Sequence, residues 1–537
     1  MNLKGLLPFF LTSFLTLAVH AQDRALFDLS LEPPDVNTQP GPEYQDEARA
    51  GAMVLGMDRT PKGRIWGCWT GTGDNPDAYF ILASSDDDGA TWSKPRVVID
   101  PKDIPGKPPM RSLVGNLWTD PTGRLWLFFD QSLGAFDGRD GDWFITCDNP
   151  DADEPMWSAP KRFADGCTLN KPTVLKNGEW LLPVSLWQRQ VITPEIFQDA
   201  HHDLDPIRMA NVFVSTDKGR TWTRRGGVLI PQTDFDEHMI VELRDGRLWM
   251  LARTVYGMAE SFSSDGGRTW SDPQPSAIKN PNARFFLRRL ASGRLLLVKN
   301  GPTDQRLPSR SLLSAFLSDD DGKTWSGGLV LDERNGVSYP DGFEAPDGLI
   351  HILYDRNRHT DAEILMAKFR EEDVLAGKFV SPDGMPRMLA NKALGGALPL
   401  ERFDFDASAE GWMPNAECEI DLDAEPGTLA LNYNGGDPNI ISPLLHVAAA
   451  EGSVTVALRL RASRPGGIAI YYSAPGDPGF HGERKIIIPV PPEAVNDFVE
   501  VEGELPVSAV KLLRLDPSGT NGELQIDWIE IRAGAAK

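Results

Sequence analysis

Short apolar runs, each opening on a turn glycine, recur along roughly the first two thirds of the chain: Gly63–Trp69, Gly123–Phe129, Gly178–Trp187, Gly246–Arg253, Gly293–Asn300 and Gly348–Asp355. They are too short for helices and rich in leucine, valine and aromatic residues, so they are predicted as buried strands. A second pattern, Ser-x-Asp-x-Gly-x-Thr-Trp, is interleaved with them. It reads SDDDGATW from Ser85, STDKGRTW from Ser215, SSDGGRTW from Ser263 and SDDDGKTW from Ser318, with a degenerate copy expected between Thr146 and Trp157. Its chemistry is that of a hairpin turn: Asp, Ser and Thr bond the turn's own backbone, Gly supplies a positive φ, and Trp covers the turn. The Asp spacing does not match a calcium loop. Six strands at a period of about 55 residues predict a six-bladed β-propeller over residues 40–385, with function on the loops at one end of its channel.

Beyond about residue 380 the box is lost and strict alternation takes over, as in Ser453–Ser463 and Ile468–Ala474, between Gly, Pro, Asn and Asp turns. That predicts a jelly-roll-like β-sandwich over residues 400–537, and an all-β protein. The sandwich is either a structural appendage or a carbohydrate-binding module presenting Trp412, Tyr471 or Tyr472. At the other end, Lys4, the apolar Leu6–Val19 and Val19-His20-Ala21 make residues 1–21 a signal peptide cleaved after Ala21. The expected product is secreted or periplasmic, with no transmembrane segment once the leader is removed.

Composition narrows the partners. The 54 Lys and Arg against 77 Asp and Glu give a net charge of −23, which disfavours nucleic acid and at first sight any anionic ligand. The 41% apolar content excludes a mainly disordered chain. Cys68, Cys147, Cys167 and Cys418 lack metal-ligand spacing; they are buried thiols, or Cys147 and Cys167 form one disulfide. His201-His202 with Asp203 and Asp205 reads as a solvated loop, and with no phosphate-cradling motif either, no cofactor and no metal are expected.

The box is the Asp-box, or bacterial neuraminidase repeat, and the chain resembles the exo-α-sialidase family over about residues 45–370. The resemblance is carried by Arg49 in EARAGAMVL, Asp74 in TGTGDNPDAYF, Glu237 and Arg253 spaced 16 apart in FDEHMIVELRDGRLWMLAR, Arg310 ahead of the last box, and Tyr339 in GVSYPDG. It implies an exo-acting glycoside hydrolase that removes a terminal carboxylated sugar, most simply α-sialic acid, from sialylated or other acidic glycans. Arg49, Arg253 and Arg310 would grip the sugar's carboxylate, and Tyr339 would be the nucleophile with Glu237 as its base. Asp74 would be the acid/base. A neutral phenol suits a substrate whose own carboxylate would repel a carboxylate nucleophile. The chain departs from the family in having Arg49-Ala50-Gly51 where Arg-Ile-Pro is usual, no acid in Arg111–Asn116, and Pro340-Asp341 after the tyrosine. The departures leave open a propeller enzyme for another anionic sugar, a nonulosonic or uronic acid cleaved by hydrolysis or elimination, or a non-catalytic glycan-binding propeller.

Overall fold

A computed structural model describes residues 26–533, except 104–106, 395–399, 406–407, 423, 426, 446, 450–452, 476 and 478. Residues 1–21, expected to be a signal peptide, lie outside the described residues. The chain divides into two compact units, Met1–Gly395 and Gly396–Lys537.

The first unit is a six-bladed propeller. Blade 1 consists of Val54–Arg59, Ile65–Thr70, Phe80–Ser85 and Val97–Ile99, with Val36–Asn37 added at its outer edge. Blades 2 to 6 begin at Gly115, Thr173, Met239, Phe286 and Val337, and the last ends at Lys392. Every blade is an antiparallel meander, and the glycine-led apolar run is its second strand, buried throughout or nearly so because both faces meet neighbouring blades. The ring closes where Leu394 N donates to Asp46 O and Ala52 N to Arg358 O.

Each box begins on the last residue of a third strand and turns into the fourth. In all four, the Ser Oγ donates to the Asp carboxylate two residues on, the Gly N–H donates back to that Oγ, and the Thr hydroxyl donates to the same Asp. These bonds hold Asp87, Asp217 and Asp320 down at about 2. The glycine is required twice over. Gly219 has φ +78°, and a Cβ there would lie 2.5 Å from the Trp126 ring of the preceding blade. The degenerate copy is present in blade 2, where Trp157 bridges to Cys147 and Asn149 accepts from Met156 N.

A polar plug ties the inner strands together. Lys171 Nζ, buried in blade 3, donates to Met57 O (2.5 Å), Leu117 O (2.6 Å) and Asp341 Oδ2 (2.7 Å), so one ammonium joins blades 1, 2, 3 and 6. Asp341 also accepts from Met57 N and Asn116 Nδ2. The Pro340-Asp341 departure thus serves the channel. Arg111 is likewise fully buried, paired with Asp130. Lys171→Met leaves the Asp341 carboxylate with Arg284 at 3.5 Å in place of an ammonium at 2.7 Å and is expected to cost about 3 kcal/mol, read as a lowered denaturant midpoint.

The second unit is a β-sandwich. One sheet has the order Cys418–Asp421, Leu429–Asn434, Asn521–Ala533, Val454–Ala462, Val499–Leu505; the other is Met413–Pro414, Ile440–Ile441, Leu512–Asp516, Gly466–Ser473, Lys485–Val490. Their inner faces share one apolar core. Trp412 and Tyr472 belong to that core, so the expectation that they form an exposed sugar platform is corrected. Tyr471 alone of the three points outward, with Arg514 and Lys485 over its ring.

Candidate active site

In an antiparallel meander the start of the first strand and the end of the second lie at the same rim. Glu237 precedes the first strand of blade 4 and Tyr339 lies in the first strand of blade 6. Arg253 is the next-to-last residue of the second strand of blade 4, while Asp74, Arg310 and Arg358 lie on the connections from second to third strand in blades 1, 5 and 6. These six residues therefore share one end of the propeller, and the boxes, on the connections from third to fourth strand, occupy the other.

At the centre, the Tyr339 hydroxyl donates to Glu237 Oε1, both residues being buried. Arg253 Nη1 lies 2.9 Å from Glu237 Oε2, and its Nε donates to Asn282 Oδ1 at 2.6 Å. Both Tyr339 (φ +56°) and Glu237 (φ +36°) hold left-handed backbone. That conformation costs about 1–3 kcal/mol for such residues and concentrates at functional sites. Burial and the Glu237 charge raise the Tyr339 phenol above its ordinary value, against the opposing pull of Arg253 and Arg358. A phenol so placed is a nucleophile only if its proton is taken as it attacks, and Glu237 is in position to take it.

Three guanidinium groups surround the phenol. Arg358 lies 4.1 Å above the ring centroid and donates to Asp74 Oδ2 (2.8 Å), Ser338 Oγ (3.0 Å) and Asp355 Oδ1 (3.3 Å). Arg310 lies 5.8 Å from the ring centroid, donates to Asn282 O, and has no carboxylate within 4 Å among the described residues. Burial, with Arg358 and Arg253 nearby, pushes its pKa down to about 10, so it stays charged near neutral pH. Arg284 approaches the ring from another side at 5.4 Å but is bonded to Leu169 O and Asn170 Oδ1.

Asp74 is the accessible member, its side chain 43% exposed. Burial would raise its carboxyl, but Arg358, His359, Arg310 and Arg253 outweigh that and hold it below the usual carboxylate range. His359 packs against Gly73, whose Cβ would lie 3.0 Å from the ring Nδ1, and so supports the loop that carries the acid.

Of the six residues singled out in the sequence, Asp74, Glu237, Arg253, Arg310 and Tyr339 converge. Arg49 does not: its buried guanidinium donates to Asp46 Oδ1 and Asn391 Oδ1, both at 2.6 Å, and joins the start of the propeller to its last strand. The cation beside the phenol is instead Arg358, 19 residues after Tyr339. Its one sequence signal is position, since it follows the second strand of blade 6 much as Asp74 follows that of blade 1. Among the described residues no group of His, Cys, Asp and Glu could hold a metal ion; His202 is exposed and paired with Asp205. All four cysteines are free thiols.

The chain is 23% identical over 345 residues to a sialidase of Bacteroides fragilis (strain YCH46), covering 58% of this chain and 61% of the relative, so it spans about three fifths of that protein's length. Among solved structures, it is similar to an intramolecular trans-sialidase from Ruminococcus gnavus (14% identity, 63% of this chain and 98% of that one, TM-score 0.47). It is also similar to a Hadza microbial sialidase (18% identity, 58% and 65%, TM-score 0.46). The model of the BNR repeat-like domain matches residues 63–352, more than half of the chain and the stretch that holds all four boxes. The chain belongs to the BNR repeat-like domain family.

Proposed function

We propose that the chain is an exo-acting glycoside hydrolase that removes a terminal α-sialic acid from glycans, acting outside the cytoplasm after removal of residues 1–21. The observation that carries the proposal is a buried phenol bonded to a buried carboxylate, with Arg253 paired to that carboxylate, Arg310 and Arg358 beside the phenol ring, and Asp74 bonded to Arg358. A purely binding propeller has no need of the Tyr339–Glu237 bond or of strained backbone at both residues.

The chemistry follows from those positions. The substrate's carboxylate, carried on its anomeric carbon, enters between Arg310 and Arg358 and supplies the charge that Arg310 lacks. Tyr339 attacks the anomeric carbon as Glu237 takes its proton, and Asp74 protonates the leaving oxygen. Water, activated by Asp74, then releases the sugar from Tyr339, and the phenol recovers its proton from Glu237. Two successive displacements retain the configuration.

The test is release of a fluorogenic aglycone from an α-sialoside, with the matching uronide run in parallel. Release from the sialoside is expected. Release from the uronide alone moves the proposal to another acidic sugar, and release from neither overturns the enzyme reading.

A further inference from the structure

The geometry points to Arg358 as a positioning residue that couples capture of the substrate's carboxylate to protonation of Asp74, so that the acid is armed only when the site is occupied. The inference rests on the proposed carboxylate-binding reading of the site. Asp74 is held as a carboxylate by the very cation that the substrate is expected to use, yet an acid must carry a proton before it can give one.

In the free protein Arg358 is already engaged. Each of its three nitrogens has a partner, in Asp74, Ser338 and Asp355. Attack by Tyr339 on a carboxylated anomeric carbon brings that carboxylate beside the guanidinium lying 4.1 Å over the Tyr339 ring. Two carboxylates at one edge of a guanidinium repel, and the repulsion is relieved when one of them takes up a proton. Asp355 is the poorer candidate. It is closed off from solvent, and both of its oxygens already accept hydrogen bonds, from Ser338 Oγ at 2.7 Å and Val54 N at 3.1 Å. Asp74 is open to solvent on one side, and among the described residues Arg358 is its one salt-bridge partner.

The groups facing Asp74 act in the same direction. Arg358 and His359 from blade 6, Arg310 from blade 5 and Arg253 from blade 4 all favour its charged form. The Tyr339 hydroxyl also faces it but is neutral while bonded to Glu237. An anion seated on Arg310 and Arg358 cancels much of that field. The balance is one ligand carboxylate and one solvent proton in, with Asp74 passing from carboxylate to carboxylic acid and no covalent bond between heavy atoms changed. The proton gained is the one later given to the leaving oxygen.

Isothermal titration calorimetry with 2-deoxy-2,3-didehydro-N-acetylneuraminic acid, in two buffers of different ionisation enthalpy, counts the protons. At about pH 5 the native protein is expected to take up close to one proton per ligand bound, with affinity falling about tenfold per pH unit between about pH 4 and 6. In Asp74→Asn the uptake vanishes and the affinity becomes flat with pH. Binding without uptake by the native protein, or equal uptake by Asp74→Asn, overturns the coupling and leaves the carboxylate site standing. Failure of the native protein to bind the ligand at any pH in this range overturns the carboxylate site, and the coupling with it.

Discussion

Tyr339→Phe is expected to lower turnover of an α-sialoside by about a thousandfold or more, with KM changed by less than about threefold. The change removes one oxygen from a side chain in a residue 6% exposed, so the ring, its packing and the cation above it remain. What is lost is the atom that would bond the anomeric carbon, an interaction made only along the reaction and not in substrate binding. Glu237→Gln should come close to the same loss by a different route, because the amide cannot take the phenolic proton and burial disfavours the free phenolate. Steady-state kcat and KM for the two variants, beside thermal midpoints to show that they fold, check this. Retention of a tenth or more of native kcat by Tyr339→Phe would remove the tyrosine from the mechanism.

The second large effect separates two arginines. Arg358→Ala is expected to reduce kcat/KM for the sialoside by about a hundredfold or more, since it deletes one of the two cations offered to the incoming carboxylate and releases the Asp74 loop. Arg49→Ala should leave KM within about twofold and lower stability by about 1–3 kcal/mol, because its bonds to Asp46 and Asn391 tie the two ends of the propeller together. Kinetics and denaturation of both variants settle the exchange of roles. Loss of substrate affinity in Arg49→Ala with none in Arg358→Ala would reverse it.

The propeller was legible because its repeat is written in residue types that local physics demands. Glycine at a positive φ, an Asp that bonds its own turn, and an apolar strand between two neighbouring blades each leave a mark within a few positions of themselves. The meeting of Tyr339 with Glu237 was legible through resemblance, since the two lie 102 positions apart and nothing local joins them. Arg49 and Arg358 show the limit. Both are buried arginines near the ends of blade strands, and which one reaches the phenol is decided by ring closure, where Arg358 O accepts from Ala52 N and Asn391 takes the Arg49 guanidinium. The strained backbone at Glu237 and Tyr339 left no mark at all, because neither residue is a type that seeks positive φ. In the sandwich, alternation marked out the sheets, but for Trp412, which lies just before a two-residue strand, the pattern did not say which way the ring would point.

The net charge of −23 also reads differently once the site is assembled. An acidic protein can bind an acidic sugar when a few cations are gathered where acids cannot neutralise all of them. Arg310 is the clearest case, charged and without a carboxylate partner among the described residues, beside an Arg358 that already holds Asp74.

Bonding of Tyr339 to the anomeric carbon of a sialic acid is the step on which everything else depends. Incubation with a 2,3-difluorinated sialic acid, followed by intact-mass measurement and peptide mapping, tests it most directly. A gain of one glycosyl unit per chain, located on Tyr339 and absent from Tyr339→Phe, is the predicted result. An unlabelled protein, or a label on Asp74 or any other residue, would contradict it.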